Sequence, residues 1–296
     1  MAKAVVLRVV GADAYLLDGD KKINAIVFKK HKMQGLCAGD VVEYYFDDLN
    51  KVYVIQSICD RRNHIDRPNI SNVDKAFIAI SKEPQADLFL VDKMLVYLGI
   101  ENILPYIIIS KCDIVDTEFI DNIKQQYNNC VEKIIVLSSK TGEGLDDFIA
   151  ETKGNISVLV GQSAVGKSSL LNVLGIKKIK VDTIALKVGK KKAHGKNTTK
   201  NSELYLTDYN ALIADTPGFK MLDIEDMEDA QLTHYYCDIK EFSVKCKYKN
   251  CTHLPNNDGC AVVKALNDGQ INKDRYNRYI KVKSALNKNR NRKYGK

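Results

Sequence analysis

The segment that most narrows the possible folds of this chain runs from Gly161 to Ser168. It reads Gly-Gln-Ser-Ala-Val-Gly-Lys-Ser, two glycines separated by four residues and followed by lysine and serine. An apolar run (156–160) precedes it and a helical pattern (167–174) follows it, which is the strand–loop–helix context of a phosphate-binding P-loop. Glycines let backbone N–H groups surround phosphate oxygens, and the helix N-terminus favours negative charge. The sequence therefore predicts a nucleotide-phosphate site.

Each residue of this loop is a candidate phosphate contact. The candidates are Gly161, Gln162, Ser163, Ala164, Val165, Gly166, Lys167, Ser168 and Ser169. Lys167 is predicted to reach the β- and γ-phosphates, and Ser168 is predicted to hold Mg²⁺.

From about residue 73 onward, apolar strand patterns alternate with helical stretches. Such alternation predicts a parallel sheet flanked by helices. The predicted strands are 76–81, 104–110, 134–138 and 156–160, with two more near 203–207 and 210–215. A predicted helix follows each of the first four strands, at 92–99, 117–128, 144–152 and 167–174.

The base-binding candidates follow two of these strands. Strand 104–109 runs into Ser110-Lys111-Cys112-Asp113, which resembles the guanine-reading N/T-K-x-D motif, with serine at the position where asparagine is usual. A carboxylate at Asp113 can accept from both N1–H and the 2-amino group of guanine, and adenine lacks that donor pair. The next strand ends in Ser138-Ser139-Lys140, which resembles the S-A-K motif whose backbone contacts guanine O6.

Two further segments match the switch regions of a GTPase. Strand 211–214 ends in Asp215-Thr216-Pro217-Gly218, a D-x-x-G pattern in which Asp215 is expected to contact Mg²⁺ through water and Gly218 to sense the γ-phosphate. Before it lies a lysine-rich loop with adjacent threonines, Thr198 and Thr199. Either can be the switch I ligand to Mg²⁺; the spacing does not decide, and we favour Thr199.

The order of these motifs is itself informative. In an ordinary GTPase the P-loop comes first, then the two switches, then the two base motifs; here the base motifs precede the P-loop. Such a circular permutation is physically allowed because the termini of a domain often lie close together at the surface. Switch II then leads directly into the C-terminal segment, so the nucleotide state can move that segment.

The N-terminal residues have a different pattern. Five short strand signals separated by Gly/Asp turns occur within about the first 60 residues. This pattern predicts a small closed barrel, for which an OB-fold and an SH3-like barrel both remain open.

The C-terminal residues combine helical stretches (225–242 and 261–290) with a cysteine cluster between them. Cys246, Cys251, His253 and Cys260 form a Cys₃His set, the ligand chemistry of a closed structural zinc site. The alternative is a coincidental group of core cysteines beside a surface histidine. The other cysteines, Cys37, Cys59, Cys112, Cys130 and Cys237, are scattered and are expected to be separate, reduced thiols.

The charge distribution indicates a polyanionic partner. The formal net charge is +8, and ten lysines and arginines against one acid, Asp274, lie between Lys273 and Lys296. The pair Arg61-Arg62 and the segment 187–196 add to this charge, and Lys/Arg clusters neutralise RNA phosphates. The alternative for the terminal stretch is a solvated basic helix. No apolar run reaches the roughly 20 residues of a membrane span, so a cytoplasmic protein without a membrane partner is expected.

Taken together, these segments resemble the ribosome small-subunit-dependent GTPases, a circularly permuted family. The likeness covers nearly the whole chain and includes Arg67-Pro68, Asn72-Val73-Asp74, the P-loop, Thr198-Thr199, Asp215–Phe219 and the cysteine cluster. The resemblance implies a multidomain protein: an OB-fold barrel (1–62), a permuted α/β P-loop GTPase domain (63–222) and a helical zinc-binding domain with a basic tail (223–296). It also implies hydrolysis of GTP to GDP, stimulated by the small ribosomal subunit and its rRNA, in late assembly of that subunit. A monomer is expected.

One departure bears on catalysis. Many GTPases carry a glutamine after D-x-x-G that orients the attacking water, and Phe219 occupies that position here. Family members often carry a histidine just before the paired threonines, where this chain has Asn197, with His194 three residues earlier. Either can take that role. The alternative to an enzyme is a GTP-gated, rRNA-binding placeholder with negligible turnover; the permuted order disfavours a translation or signalling GTPase.

Overall fold

The computed structural model describes residues 2–176, 202–215, 227 and 229–294. The chain divides into two compact units, one of Met1–Asp74, Glu151–Val158 and Ser168–Pro217, the other of Lys75–Ala150, Leu159–Lys167 and Gly218–Lys296. Within the described residues no helix is both long and apolar enough to cross a membrane.

The first unit begins with a closed barrel. Its elements are β1 (Ala2–Val10), β2 (Asp13–Asp18), β3 (Lys21–Ile26), α1 (Lys29–Met33), β4 (Val41–Asp47) and β5 (Val52–Ile58). The strands follow the order β1-β2-β3-β5-β4 and close between β4 and β1, with β3 and β5 parallel. The sequence leaves an OB-fold and an SH3-like barrel open. This strand order, with β3 and β5 parallel, identifies the barrel as an OB-fold. Val6, Leu16 and Ile55 are fully buried in the barrel core.

The residues after the barrel connect it to the rest of the first unit through hydrogen bonds. A hairpin of β6 (His64–Asp66) and β7 (Asn69–Ser71) leads to Asn72, whose amide Nδ2 donates to the Gly39 carbonyl at 2.9 Å. The Asp74 carboxylate accepts from the Ile156 amide at 2.8 Å, and the Asp74 amide donates to the Ile156 carbonyl at 2.8 Å. Two of the residues that carry the family resemblance therefore form a junction between the barrel and the strand that precedes the P-loop.

The α/β part alternates as the sequence predicts. Its elements are β8 (Lys75–Ile80), α2 (Leu88–Ile100), β9 (Leu104–Ile109), α3 (Thr117–Tyr127), β10 (Lys133–Val136), α4 (Leu145–Thr152), β11 (Ile156–Gly161), α5 (Lys167–Val173), β12 (Leu204–Leu206) and β13 (Leu212–Asp215). Among the described strands, six form one sheet in the order β10-β9-β8-β11-β13-β12. The strands β8, β9 and β10 are parallel, with Ile107 paired to Ile78 and Ile134. Their carboxyl ends therefore lie at one edge of the sheet, where the base motifs begin.

In the described C-terminal residues, each of the two predicted helices is divided into two shorter helices. They are α6 (Asp229–Tyr235), α7 (Cys237–Ser243), α8 (Ala261–Asn267) and α9 (Lys273–Tyr294). The predicted helix 225–242 is interrupted at Tyr236, whose backbone is extended while its ring is buried beside Tyr279 at 5.1 Å. The predicted helix 261–290 breaks at Gly269, which has φ +73, and α9 restarts where Asn272 accepts from backbone amides. Burial of one aromatic ring and one left-handed glycine thus override the helical periodicity.

Candidate functional site

The P-loop connects β11 to α5 as predicted. Gly161 has φ +136, and a Cβ at this position would overlap the carbonyl oxygen of Ala79, so only glycine fits. Gly166 has φ +100, also in the region that favours glycine. The Lys167 ammonium folds back over the loop and donates to the carbonyls of Gly161 at 2.8 Å and Gln162 at 2.5 Å. A flexible ammonium held by its own loop is positioned to exchange those carbonyls for phosphate oxygens.

The remaining P-loop candidates differ in their surroundings. The Gln162 side-chain oxygen accepts from the backbone amide of Asp87, the N-cap of α2, at 2.9 Å. Val165 is fully buried, whereas the side chains of Ser163, Ser168 and Ser169 are exposed. The two exposed serines of the first turn of α5 are therefore accessible to a nucleotide-bound cation.

The first base motif contacts the P-loop directly. The Ser110 hydroxyl donates to the carbonyl of Val165 at 2.5 Å, and the carbonyl of Ile80 lies 3.1 Å away. The Lys111 ammonium donates to the carbonyls of Ala164 at 2.9 Å and Glu83 at 2.8 Å. Segments that lie far apart and in permuted order along the chain are thus brought to one place. The serine that replaces the usual asparagine still reaches the loop.

The second base motif orders the carboxylate of the first. The Ser138 hydroxyl donates to Asp113 Oδ1 at 2.6 Å, and the Lys140 ammonium lies 3.8 Å from Asp113 Oδ2. The hydrogen bond from Ser138, reinforced by Lys140 and Lys111, holds the pKa of Asp113 below its usual value. Asp113 is therefore an ionised acceptor at neutral pH, which is what pairing with two adjacent N–H donors requires.

Backbone geometry completes this base-binding edge. The Cys112 amide donates to the Leu137 carbonyl at 3.1 Å, which ties the two base motifs together, and Ser139 follows Ser138 half-buried. Gly144 has φ +69 and a Cβ there would overlap the Val136 carbonyl. The glycine after the second motif is therefore a requirement of the close turn that brings Ser138 to Asp113.

Of the switch candidates, only Asp215 lies within the described residues. Asp215 is the last residue of β13. Thr198, Thr199, Asn197, His194, Gly218 and Phe219 lie outside the described residues. Their roles remain predictions.

The cysteine cluster forms a candidate metal centre. The ligand atoms of Cys246, Cys251, His253 and Cys260 lie within 4.8 Å of one another. The Sγ atoms of Cys246 and Cys260 are 4.0 Å apart and lie 3.6 and 3.7 Å from His253 Nδ1. Four ligands around a tetrahedral zinc with Zn–S bonds of about 2.3 Å would be separated by roughly 3.8 Å. These separations therefore fit one closed metal site.

Hydrogen bonds from α9 position the residues of this centre. The Tyr276 hydroxyl of α9 donates to the His253 carbonyl at 2.6 Å, and the Lys283 ammonium donates to the Thr252 carbonyl at 2.6 Å. These bonds hold His253 in a left-handed conformation with φ 57. Burial, with a contribution from Lys283, lowers the pKa of His253 to about 4. The imidazole is thus neutral at physiological pH, as a metal ligand must be.

The scattered-thiol prediction is wrong for two cysteines. Cys130 and Cys237 are joined by a disulfide although 107 residues separate them in the sequence. No spacing rule can reveal a pair that only tertiary structure brings together. Cys37, Cys59 and Cys112 are free thiols, as expected.

Several basic residues that suggested a polyanion partner have structural partners. Arg275 is almost fully buried and donates to Asp92 at 2.7 Å and Asp238 at 2.8 Å, and Arg278 donates to Asp92 at 2.6 Å. Near the barrel, Arg61 pairs with Asp40 and Arg62 with Asp74, each at 2.7 Å. These four arginines are therefore paired within the protein, and the segment 187–196 lies outside the described residues.

Sequence reasoning missed Asp92. It is the only acid in the apolar helix Leu-Phe-Leu-Val-Asp-Lys-Met-Leu-Val-Tyr-Leu-Gly-Ile, and its side chain is completely buried. An isolated acid on a buried helix signals a paired partner, because an uncompensated buried charge is too costly. That signal was present, but it does not identify the partner.

Comparison with known proteins agrees with this geometry. A family model described as RsgA GTPase matches residues 58–225. The small ribosomal subunit biogenesis GTPase RsgA of Bacillus cereus is 38% identical over 258 residues, covering 86% of this chain and 85% of that protein. The protein of the same name from Bacillus subtilis is 33% identical over 299 residues, covering 97% and 98%.

Two solved structures resemble the whole chain. The crystal structure of YjeQ from Thermotoga maritima matches with a TM-score of 0.79 at 28% identity, covering 96% of this chain and 98% of that one. The crystal structure of YloQ, described as a circularly permuted GTPase, matches with a TM-score of 0.79 at 30% identity, covering 97% and 96%.

Proposed function

The chain belongs to the RsgA GTPase family, and from that premise we propose that it hydrolyses GTP when bound to the small ribosomal subunit, late in the maturation of that subunit. The observation that best supports GTP binding is the contact of Ser110 with the Val165 carbonyl. It supports a single nucleotide site that contains both Asp113 and the phosphate loop. The names of the relatives support the ribosomal part.

The proposed roles follow from the geometry. Asp113 and the backbone of 138–140 select guanine, and Gly161–Ser169 surround the phosphates. Lys167 neutralises the β- and γ-phosphates, Ser168 and Thr199 hold Mg²⁺, and Asp215 and Gly218 respond to the γ-phosphate. In the permuted order, switch II continues into the helical residues 223–296, so hydrolysis changes the state of the part that we assign to zinc and rRNA binding.

Phe219 gives the proposal a kinetic consequence. A phenyl ring cannot hydrogen-bond the attacking water, so intrinsic turnover is slow and the ribosome, Asn197 or His194 supplies the missing orientation. The same residue favours the second candidate function, a GTP-gated rRNA-binding placeholder with negligible turnover. Under both functions the barrel 1–62 and the basic helix contact rRNA.

The deciding experiment measures hydrolysis of GTP and of ATP while purified small subunits are titrated in. The proposal expects slow hydrolysis of GTP alone, a saturable increase with subunits, and no hydrolysis of ATP. Absence of stimulation, with tighter subunit binding in GTP than in GDP, would establish the placeholder instead.

Zinc is proposed as the occupant of the Cys₃His centre. The neutral imidazole, the three thiols and the ligand separations support it. Elemental analysis of the purified chain tests it, with one zinc per chain expected, and a chain that is folded without any metal would reject it.

A further inference from the structure

A second pair of cysteines, separate from the metal centre, occupies a position suited to thiol chemistry. Cys130 follows α3 in the segment that leads to β10, and Cys237 is the first residue of α7. Their Cα atoms are 5.7 Å apart, within the range of about 4.4–6.8 Å that disulfides require. The backbone therefore holds the two sulfurs within bonding reach.

The surroundings favour sulfur chemistry over metal binding. Both sulfurs and a carboxylate oxygen of Asp238 lie close enough to share an ion. However, Arg275 donates through Nη2 to Cys130 Sγ at 3.3 Å and through Nε to Asp238 Oδ2 at 2.8 Å. A fixed guanidinium in contact with two of the three ligands repels a divalent cation, whereas it stabilises a thiolate.

Access distinguishes this pair from the buried Cys37, and the proximity of its two sulfurs distinguishes it from the half-buried free thiols Cys59 and Cys112. Cys130 and Cys237 are half-buried, so a small molecule can reach their sulfurs. Cys37 is buried, and burial raises its pKa to about 11, which suppresses its thiolate. Cys246, Cys251 and Cys260 belong to the candidate metal centre. Only partly exposed thiols with a nearby partner combine reactivity with a defined product.

We propose that Cys130 and Cys237 form a reversible redox pair that reacts with low-molecular-weight disulfides. The thiolate of one cysteine attacks a sulfur of the small disulfide R–S–S–R and releases one R–S⁻. The thiolate of the other cysteine then attacks the protein sulfur of the mixed disulfide and releases the second R–S⁻. The two cysteine protons end on the two released thiols, so two cysteine thiols and R–S–S–R give the protein disulfide and two R–SH.

The position of the bond defines what it controls. It joins α7 to the segment between α3 and β10, and β10 leads directly to Ser138 of the base-binding edge. In the reduced chain this contact depends on the ion pairs that Arg275 makes with Asp92 and Asp238. In the oxidised chain a covalent bond fixes it. Oxidation therefore locks the C-terminal helices against this part of the α/β domain.

The test uses the full-length chain equilibrated in buffers with different ratios of glutathione to glutathione disulfide. Thiols are then trapped by alkylation, and disulfide-linked peptides are identified by mass spectrometry. The expected result is a Cys130–Cys237 peptide that increases with the disulfide fraction and disappears when excess glutathione is restored. Hydrogen exchange of α7 and of residues 128–132 slows several-fold in the oxidised chain.

Variants assign the effect. Cys130→Ser and Cys237→Ser each abolish the peptide and the change in hydrogen exchange, while Cys59→Ser, at another half-buried thiol, leaves both intact. The proposal is overturned if the wild-type chain forms no Cys130–Cys237 peptide at any ratio, if only glutathione adducts form, or if excess glutathione does not reverse the bond. All three outcomes are measured on the wild-type chain, so the proposal can be rejected even if a variant fails to fold.

Discussion

The hydroxyl of Ser110 donates a hydrogen bond to the carbonyl oxygen of Val165, 55 residues further along the chain, at 2.5 Å. Both residues are buried, so neither group can exchange this partner for water. The contact joins the strand that carries the guanine-reading motif to the loop that carries the phosphate site. A short hydroxyl, at the position where asparagine is usual, thus bridges the two motifs.

Removal of this hydroxyl is expected to weaken nucleotide binding. Ser110→Ala leaves the buried Val165 carbonyl without its donor, a cost of about 1–2 kcal/mol, and the loop loses one of the bonds that hold it. GDP affinity, measured by calorimetry, should fall roughly 5- to 30-fold. Ser110→Thr, which keeps the hydroxyl, is the matched control and should retain most of the affinity. Equal affinities for the alanine and threonine variants would show that the hydrogen bond does not position the loop.

The choice of base is expected to follow the acceptors of Asp113. Asp113→Asn replaces one carboxylate oxygen by an amide that donates, which opposes the 2-amino group of guanine but matches the 2-oxo group of xanthine. GTP affinity should fall on the order of 100-fold, since one charge-assisted bond is lost and one donor is left unpaired. Xanthosine triphosphate should become the preferred ligand.

Competition between the two nucleotides for a fluorescent analogue measures this change. Asp121→Asn, at an exposed aspartate of α3, controls for the loss of a negative charge. An Asp113→Asn variant that still prefers GTP would place the base elsewhere.

The local elements and the motifs could be predicted from the sequence, whereas their partners could not. The strands before the P-loop and before Asp113 are apolar runs with turn residues at their ends, so their positions follow from local patterns. The contact of Arg275 with Asp92 spans 183 residues, and the bond of Cys130 to Cys237 spans 107. Both depend on helix packing, for which no periodicity in the chain is informative. The same holds for the break at Tyr236, which burial of the ring beside Tyr279 imposes.

The buried Asp92 is expected to dominate the stability of the C-terminal helices. Its carboxylate accepts from Arg275, Arg278 and the Tyr127 hydroxyl at 2.6–2.8 Å and is completely buried. Asp92→Ala removes the carboxylate that pairs with Arg278 and one of the two that pair with Arg275, and should lower the free energy of unfolding by about 3–5 kcal/mol. Urea denaturation measures this loss.

A surface carboxylate provides the comparison. Asp121→Ala should change the unfolding free energy by less than about 0.5 kcal/mol. A loss at Asp92 no larger than that at Asp121 would mean that the buried ion pairs contribute nothing net. Hydrogen exchange should localise the loss at Asp92 to α9 and its contacts.

The metal centre is expected to bind zinc more tightly as pH rises. The pKa of His253 is lowered to about 4, so its imidazole needs no deprotonation near neutrality. Burial raises the pKa of Cys260 to about 11 in the metal-free chain, so zinc must displace a thiol proton there. Affinity measured with a competing chelator should therefore increase between pH 6 and pH 8, and binding should release protons.

In the metal-free chain, stability should depend on the titration of His253. Because the pKa of His253 is about 4 when folded and near 6.5 when unfolded, the unfolded state binds more protons between these values, and stability falls as pH decreases through that window. His253→Asn should remove this dependence, since asparagine tolerates the left-handed backbone at φ 57 but does not titrate. Thermal unfolding of the chelator-treated wild type and variant from pH 7 to pH 4 measures it. Identical pH profiles would show that a group other than His253 controls the acid stability of this centre.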